Sequence, residues 1–489
     1  MKRLLIANRG EIAIRVARTA RELGIETVAV YSSADREARH VSAGDVAVEI
    51  GPAPAVDSYL NAGKIIDAAR KTNADAIHPG YGFLSEDPEF AEAVEAAGIR
   101  WVGPPPSAMR AMGAKIAARA RMIAAGVPVV PGFPGSPDPK EMGEGAAALG
   151  YPVLVKASAG GGGKGMRLVA RAEELPSAIE GARREALSAF GDGAVYLEKA
   201  ISRPRHVEMQ IFGDRAGRVV ALGERECSIQ RRHQKIVEEA PSPSLDAGVR
   251  AAMAEAAVAA GRAVGYASAG TVEFLLDESR KFYFLEMNTR LQVEHAVTEE
   301  TLGIDLVRAQ LEVADGHPLS EGWGALEPRG HAIECRVYAE DPETHLPRSG
   351  TVLAYEEPCG PGVRVDAGIE RGSRVGIDYD PILAKVIVRA ESRGAAIARM
   401  REALSRYVIL GVTTNIPLLR RIVASEDFGA GRTDTGFVER LPPPPDSPPP
   451  AAAVLAALHE AGGARTGSVS SVLPGAADPW RAASSWRNR

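Results

Sequence analysis

Glu286-Met-Asn-Thr-Arg-Leu-Gln-Val-Glu-His295 is the stretch of this 489-residue chain whose reading decides the rest. In an extended segment, side chains alternate between two faces. Glu286, Asn288, Arg290, Gln292 and Glu294 would then share one face, with Met287, Leu291 and Val293 on the other. One edge of a strand would carry two acids, an arginine and two amides over an apolar back. Burying such a row without partners costs several kcal/mol. A row like this serves a metal ion, an anionic substrate, or both.

A further acid lies upstream. Residues 271–276 read as a strand, 281–286 as the next, and 277–280 as a four-residue hairpin loop. In that register Leu276 faces Lys281 and Glu273 faces Phe284. Glu273 is then the diagonal neighbour of Glu286 on the same face, roughly 7–8 Å away. Two carboxylates can converge on one cation across that gap, and hard oxygen ligands suit magnesium or manganese. A loop one residue longer would turn Glu273 to the wrong face. The flanking Phe and Leu residues predict burial on both sides rather than a solvated hairpin.

Length allows about two to four domains. The 58 basic and 63 acidic residues leave a net charge of −5, so no overall positive field points to nucleic acid. No apolar run reaches the length of a membrane span. Residues 1–7 run into Asn8 and Arg9 and do not make a signal peptide. Cys227, Cys335 and Cys359 show neither metal spacing nor an even disulfide framework. The expected location is a reducing cytoplasm, with no membrane partner. Only eleven of the basic residues are lysine. Four of them, Lys115, Lys156, Lys164 and Lys235, fall in polar motifs, where a point charge is not interchangeable with an arginine fork.

The first hundred residues alternate strand and helix signals. These are strand 4–7, helix 11–23 stopped by Gly24, strand 27–31, a helix near 60–69, a strand ending near Ile77, helix 89–97 and strand 100–102. The alternation predicts a parallel sheet covered by helices, with ligand loops at strand C-termini; residues 78–86 are one such loop. Residues 107–126 read as one helix and 128–139 as a turn-rich hinge. A strand, a glycine loop and a strand fill 151–170, followed by helix 172–190, strand 194–199, strands with a charged loop over 205–240, and helix 246–264. Further strands follow residue 330, with helices at 395–407 and 417–425. Seven of the nine residues 442–450 are proline, a stiff spacer before a short helix at 451–460 and a Gly/Ser-rich tail.

Residues 158–165, Ser-Ala-Gly-Gly-Gly-Gly-Lys-Gly, fit a nest of backbone N–H groups over phosphates or a mobile surface loop. They are not a P-loop, since Ser158 and Gly165 replace the required Gly and Ser/Thr. A dinucleotide fingerprint would need a helix where 166–170 reads as a strand. Asp427-Phe-Gly429 lacks the accompanying kinase motifs, and His206-Val-Glu208 lacks the cysteines of a zinc deaminase. The basic run 226–235 is followed by Glu238 and Glu239, which argues against an open nucleic-acid patch. Its His233, Gln234 and Lys235 suit contact with a nucleotide and an oxyanion.

Together Ala7-Asn-Arg-Gly-Glu-Ile-Ala13, the loop 78–86, the Gly160 loop, residues 231–235, the decapeptide and Glu334-Cys-Arg336 closely resemble the biotin carboxylase family of ATP-grasp enzymes. The likeness runs from residue 2 to about 441. It implies an α/β fold with an N-terminal parallel-sheet domain (1–113), an ATP-grasp domain (114–327, mobile lid about 131–203) and a mixed α+β C-terminal domain (328–441). Residues 442–489 would be a Pro/Ala-rich tail. Lys115, Lys156, Glu198, Lys199, Ala200, Ile201, His206 and His233 would contact ATP, and Gly162 and Gly163 would cover its phosphates. Glu273, Glu286 and Asn288 would hold two magnesium or manganese ions. Lys235, Arg290, Gln292 and Val293 would hold bicarbonate, Glu294 would deprotonate it, Arg336 would stabilise the biotin enolate, and Tyr81 would lie near biotin.

The implied activity is ATP-dependent carboxylation of biotin through carboxyphosphate, the first half-reaction of an acyl-CoA carboxylase, with acetyl-CoA as the expected final acceptor. Pyruvate, propionyl-CoA and methylcrotonyl-CoA carboxylases, or an ATP-grasp ligase activating another carboxylate, are the alternatives. A homodimer is implied. Ala159 and Ala296 depart from the family pattern, where glycine and proline are usual. Lys385 is the final lysine and no Met-Lys-Met occurs, so the biotin carrier and the carboxyltransferase are expected on other polypeptides.

Overall fold

The βα signals at the N-terminus close into a five-stranded parallel sheet. Its order is Val46–Gly51, Glu26–Ser32, Arg3–Ile6, Ala76–His78 and Arg100–Trp101. Helix Gly10–Glu22 buries Ile12, Val16 and Ala20, as its spacing predicts. Strand Val46–Gly51 is not anticipated: it is an edge strand with alternate residues exposed, and Glu49 weakens its apolar signal. The computed structural model describes residues 1–158, 165–232 and 234–443. The tail helix expected at 451–460 therefore lies outside the described residues. No helix among them is long and apolar enough to cross a membrane.

The single helix expected over 107–126 is two, Pro106–Gly113 and Lys115–Ala124. Gly113 weakens the helix and Ala114 is extended, with φ −100° and ψ 113°. The break puts Lys115 at the start of a new helix, its N–H bonded to Ser158 O at 3.2 Å. The hinge expected at 128–139 contains a short strand, Gly132–Phe133, and is followed by an unanticipated helix, Pro139–Leu149. That strand joins Val195–Lys199, Val153–Ala157 and Arg167–Val169 in a four-stranded sheet. Met142, Val153, Val155, Leu175 and Leu197 give this region its own small core. Helix Leu175–Phe190 starts one turn later than predicted, after the 3-10 turn Ala172–Glu174.

The third sheet among the described residues carries the chemistry. Eight strands run in the order Phe282–Asn288, Ser268–Leu276, Arg205–Gly213, Val219–Arg231, Gln234–Ala240, His331–Tyr338, Ile382–Ala390 and Val363–Ala367. Every adjacent pair is antiparallel. The sheet continues across residue 327, where a domain boundary was expected: His331–Tyr338 pairs directly with Gln234–Ala240. Residues Met1–Leu441 form one compact unit.

Two readings of the hairpin need correction. The loop spans 277–281, one residue longer than predicted, so Leu276 faces Phe282 and Phe274 faces Phe284. Continued unchanged, this register would turn Glu273 away from Glu286. A bulge at Leu285 shifts it by one, and Glu273 lies directly opposite Glu286 rather than diagonal to it. The strand also ends at Asn288. Residues 289–294 are a loop, and helix His295–Leu302 follows. Arg290, Gln292 and Glu294 are thus placed by loop contacts, not by strand alternation.

Candidate active site

Register alone lines up four charged residues across four strands. Glu286 faces Glu273, Glu273 faces Glu208, and Glu208 faces Arg225. Like charges directly opposite one another repel, so this ladder needs cations. Lys235 supplies one: its buried Nζ donates to Glu208 Oε2 at 2.5 Å, Glu273 Oε1 at 2.6 Å and Glu294 Oε1 at 2.8 Å. Burial works against the ammonium, but the three carboxylates outweigh it and hold its pKa well above the usual value. Arg225 supplies a second, with Nε 2.5 Å from Glu208 Oε1.

Glu286 has no such partner. It makes no hydrogen bond or ion pair among the described residues. Burial, then the facing Glu273 carboxylate, push its pKa up, while Lys115 and Lys156 work the other way. A cation between the two glutamates would relieve that repulsion. The donor set is hard, so the residues fit a magnesium-like ion. Asn288 is turned for now: its Nδ2 donates to Glu273 Oε1 at 2.8 Å and its Oδ1 accepts from Arg290 at 3.3 Å. His206 Nε2 stands 3.0 Å from Glu273 Oε2, and Gln230 Nε2 is 2.6 Å from His206 Nδ1.

The loop and the neighbouring strand bring in the anion-facing groups. Arg290 Nε bonds Glu86 Oε2 at 2.9 Å, and its Nη1 reaches Gln292 Oε1 at 3.2 Å. Glu294 precedes helix His295–Leu302 and is fully buried. Its second oxygen accepts from Arg336 Nη2 at 3.0 Å. Burial opposes ionisation, but Lys235 and Arg336 hold this carboxyl well below the usual range. Arg336 Nε is 2.6 Å from Glu238 Oε1, an ion pair without a well-aligned hydrogen bond. Burial lifts Glu238 to about 7 despite that arginine.

One pocket is lined by Lys115, Lys156, His206, Lys235, Glu273, Glu286, Asn288, Arg290, Gln292, Val293 and Arg336. Lys156 Nζ bonds Glu198 Oε2 at 2.8 Å. Lys199 turns elsewhere, donating to Gly150 O at 2.7 Å and Tyr151 O at 3.1 Å, and Ala200 N–H bonds Pro152 O at 3.1 Å. Ile201 follows in the same half-buried connection. Tyr81 donates its hydroxyl to Glu11 and lies within electrostatic reach of Arg336. Gly162, Gly163 and His233 lie outside the described residues.

Several contributors were not singled out from the sequence. Glu208 sits in the His206-Val-Glu208 triplet, whose two polar residues share a face of strand Arg205–Gly213. Glu86 ends the 78–86 loop. Arg225, Gln230 and Lys385 carry no local signal, because their partners are distant in sequence.

The matches to known proteins cover the same residues. The chain matches the family models for the biotin carboxylase N-terminal domain over 1–109, the carbamoyl-phosphate synthase L chain ATP-binding domain over 114–322, and the biotin carboxylase C-terminal domain over 334–440. It is 52% identical over 444 residues to the mitochondrial methylcrotonoyl-CoA carboxylase subunit alpha of Oryza sativa subsp. japonica, a match covering 90% of this chain and 60% of that protein. This chain therefore spans about three-fifths of the length of that relative. Biotin carboxylase 2 of Bacillus subtilis is 49% identical over 439 residues, covering 90% of this chain and 99% of the relative. The Hydrogenobacter thermophilus 2-oxoglutarate carboxylase biotin carboxylase domain, solved as a dimer with MgADP, ADP and bicarbonate, superposes with TM-score 0.86 at 46% identity, covering 90% of this chain and 97% of that one. The charge ladder, the loop that follows it and these matches agree: the chain belongs to the biotin carboxylase family of ATP-dependent ligases.

Proposed function

We propose that this chain uses ATP and bicarbonate to carboxylate biotin presented by a carrier. The observation that carries the reading is the clamp of Lys235 and Arg336 on Glu294, beside the Glu273–Glu286 pair. Glu294 is held ionised and ready to take a proton. Bicarbonate seated against Lys235, Arg290 and the Gln292 amide would share the two cations, which raises the proton affinity of Glu294 as they turn to the substrate. The deprotonated bicarbonate attacks the γ-phosphorus and ADP leaves, giving carboxyphosphate. No protein nucleophile is required, so positioning and charge neutralisation do the catalysis. Glu273 and Glu286 would hold a divalent ion, which would supply neutralisation of the phosphate oxygens. Lys115 and Lys156 face the same pocket and bind the phosphate chain. Carboxyphosphate then breaks into CO2 and phosphate, the phosphate takes the N1 proton of biotin, and N1 bonds to the CO2 carbon; Arg336 stabilises the enolate formed on the way, and it can leave Glu238 or Glu294 to do so.

Magnesium or manganese, two ions per site, fits the hard donor set. A homodimer is supported by the dimeric Hydrogenobacter relative. No Met-Lys-Met acceptor occurs within these 489 residues, so the biotin is presented from outside them. Acetyl-CoA is our assigned final acceptor, selected by a carboxyltransferase that is likewise outside them. The primary test is ADP release with free biotin. Cleavage must depend on both bicarbonate and biotin; ATP turnover indifferent to bicarbonate would overturn the reading. Transfer to acetyl-CoA, propionyl-CoA and methylcrotonyl-CoA with the co-purifying transferase then tests the acceptor.

A further inference from the structure

Lys385 lies on strand Ile382–Ala390, opposite Arg336 in the ladder, and its side chain is fully buried. Its Nζ is 2.5 Å from the main-chain oxygen of Val293. Glu11 Oε1 and Glu334 Oε2 are farther, at 3.6 and 3.9 Å. An ammonium that serves only to neutralise closes on a carboxylate at about 2.7–2.9 Å. This one closes on a neutral carbonyl instead. Burial alone would lower its pKa, but Glu11, Glu334 and Asp366 outweigh burial and keep it charged.

The carbonyl it holds belongs to the loop that carries Glu294. Each carbonyl over 291–293 is captured: Leu291 O by Arg290 at 3.3 Å, Gln292 O by His295 Nδ1 at 2.7 Å, and Val293 O by Lys385. In a trans peptide the N–H points opposite to the C=O. With Val293 O drawn toward Lys385, the Glu294 N–H is directed away from Lys385, and Val293 lines the pocket. No acceptor among the described residues takes the N–H of Val293 or Glu294. Two successive N–H groups without an acceptor are donors available to an anion.

We propose that Lys385 is a positioning residue for the bicarbonate subsite: it holds the 293–294 peptide so that its N–H faces the substrate anion. The inference rests on the biotin carboxylase reading, and the wild-type enzyme is measured first to separate the two. Absent bicarbonate-dependent ATP cleavage in wild type counts against the function; the variants then test Lys385 alone. In Lys385→Met, KM for bicarbonate should rise roughly tenfold or more, as expected for losing a charged hydrogen bond. KM for MgATP should stay within twofold. Glu334→Gln, which leaves the carbonyl contact intact, should leave the bicarbonate KM unchanged. If Lys385→Met fails to fold, Lys385→Met/Glu334→Gln removes charge in balance and carries the same prediction. Unchanged bicarbonate KM, parallel rises in both KM values, or an equal effect of Glu334→Gln alone would each overturn the proposal.

Discussion

Two of the ion networks among the described residues are completed differently. One joins helix Gly10–Glu22 to residues 299–308 and strand Val363–Ala367. There Arg15 reaches Glu299 at 2.7 Å and Asp305 at 2.9 Å, while Arg364 reaches Glu299 at 2.9 Å and Asp366 at 2.7 Å. All six carboxylate oxygens of Glu299, Asp305 and Asp366 receive a donor, with Arg18, Thr19 and two main-chain N–H groups completing the set. The other network is the active-site ladder. It is largely buried too, yet among the described residues Glu286 makes no hydrogen bond or ion pair, Glu238 has no aligned donor, and the Val293 and Glu294 N–H groups meet no acceptor. Burial of charge is common to both. What sets the ladder apart is that its unpartnered carboxylate, Glu286, lines the pocket.

The comparison can be broken by mutation, starting where the effect is largest. Arg15→Met should cost about 3–5 kcal/mol in urea unfolding, since it removes charged hydrogen bonds to the buried Glu299 and the half-buried Asp305. The folded fraction should retain kcat within threefold. A large loss of turnover at unchanged stability would erase the distinction between the networks.

Glu286→Gln should do the reverse. Metal-dependent ATP cleavage should fall by about 10²–10³, with the thermal midpoint unchanged or raised, because a repulsive carboxylate pair is relieved. A kcat within twofold of wild type at saturating magnesium would remove Glu286 from the metal site.

Arg336→Met sharpens the comparison inside the ladder. Carboxyl transfer to biotin should fall at least about tenfold more than bicarbonate-dependent ATP cleavage. Glu294→Gln should instead depress bicarbonate-dependent cleavage itself. Equal losses of both activities in both variants would merge the two roles.

The smallest effect concerns pH, and its sign differs between networks. Burial opposes ionisation of Glu299 and Asp305, but Arg15 dominates and their pKa values are lowered, so their contribution is lost as pH falls below the ordinary 4.5 and 3.8. Glu238 is raised from 4.5 to about 7, so it favours the folded state at low pH and withdraws that support as pH rises through this window. Glu238→Gln should flatten the stability profile between these values by a few degrees of Tm. An unchanged slope there would remove Glu238 as its source.

What could be read from the sequence follows the range of the forces involved. The βα alternation and the strand carrying Glu273 are local periodicities, and the sheets bear them out. Arg290 and Glu294 were singled out for their chemistry but placed on a strand, because alternation was carried past Asn288. Their real supports, Glu86 and Arg336, are held in place by contacts 204 and 42 residues away. Periodicity says nothing about contacts of that separation. The contact of Lys385 with Val293 O is of the same kind, spanning 92 positions.

The bulge at Leu285 divides its strand into two reading frames. The half next to the turn follows the phase set by loop 277–281, and the half from Glu286 onward follows the phase set by Glu273. Leu285 is the frameshift between them, and its side chain falls into the pocket wall. The tip of the hairpin is thereby insulated from the chemistry. A lineage can lengthen or shorten that turn and absorb the slip at one residue, so variation at the surface need not reach the metal-facing carboxylates.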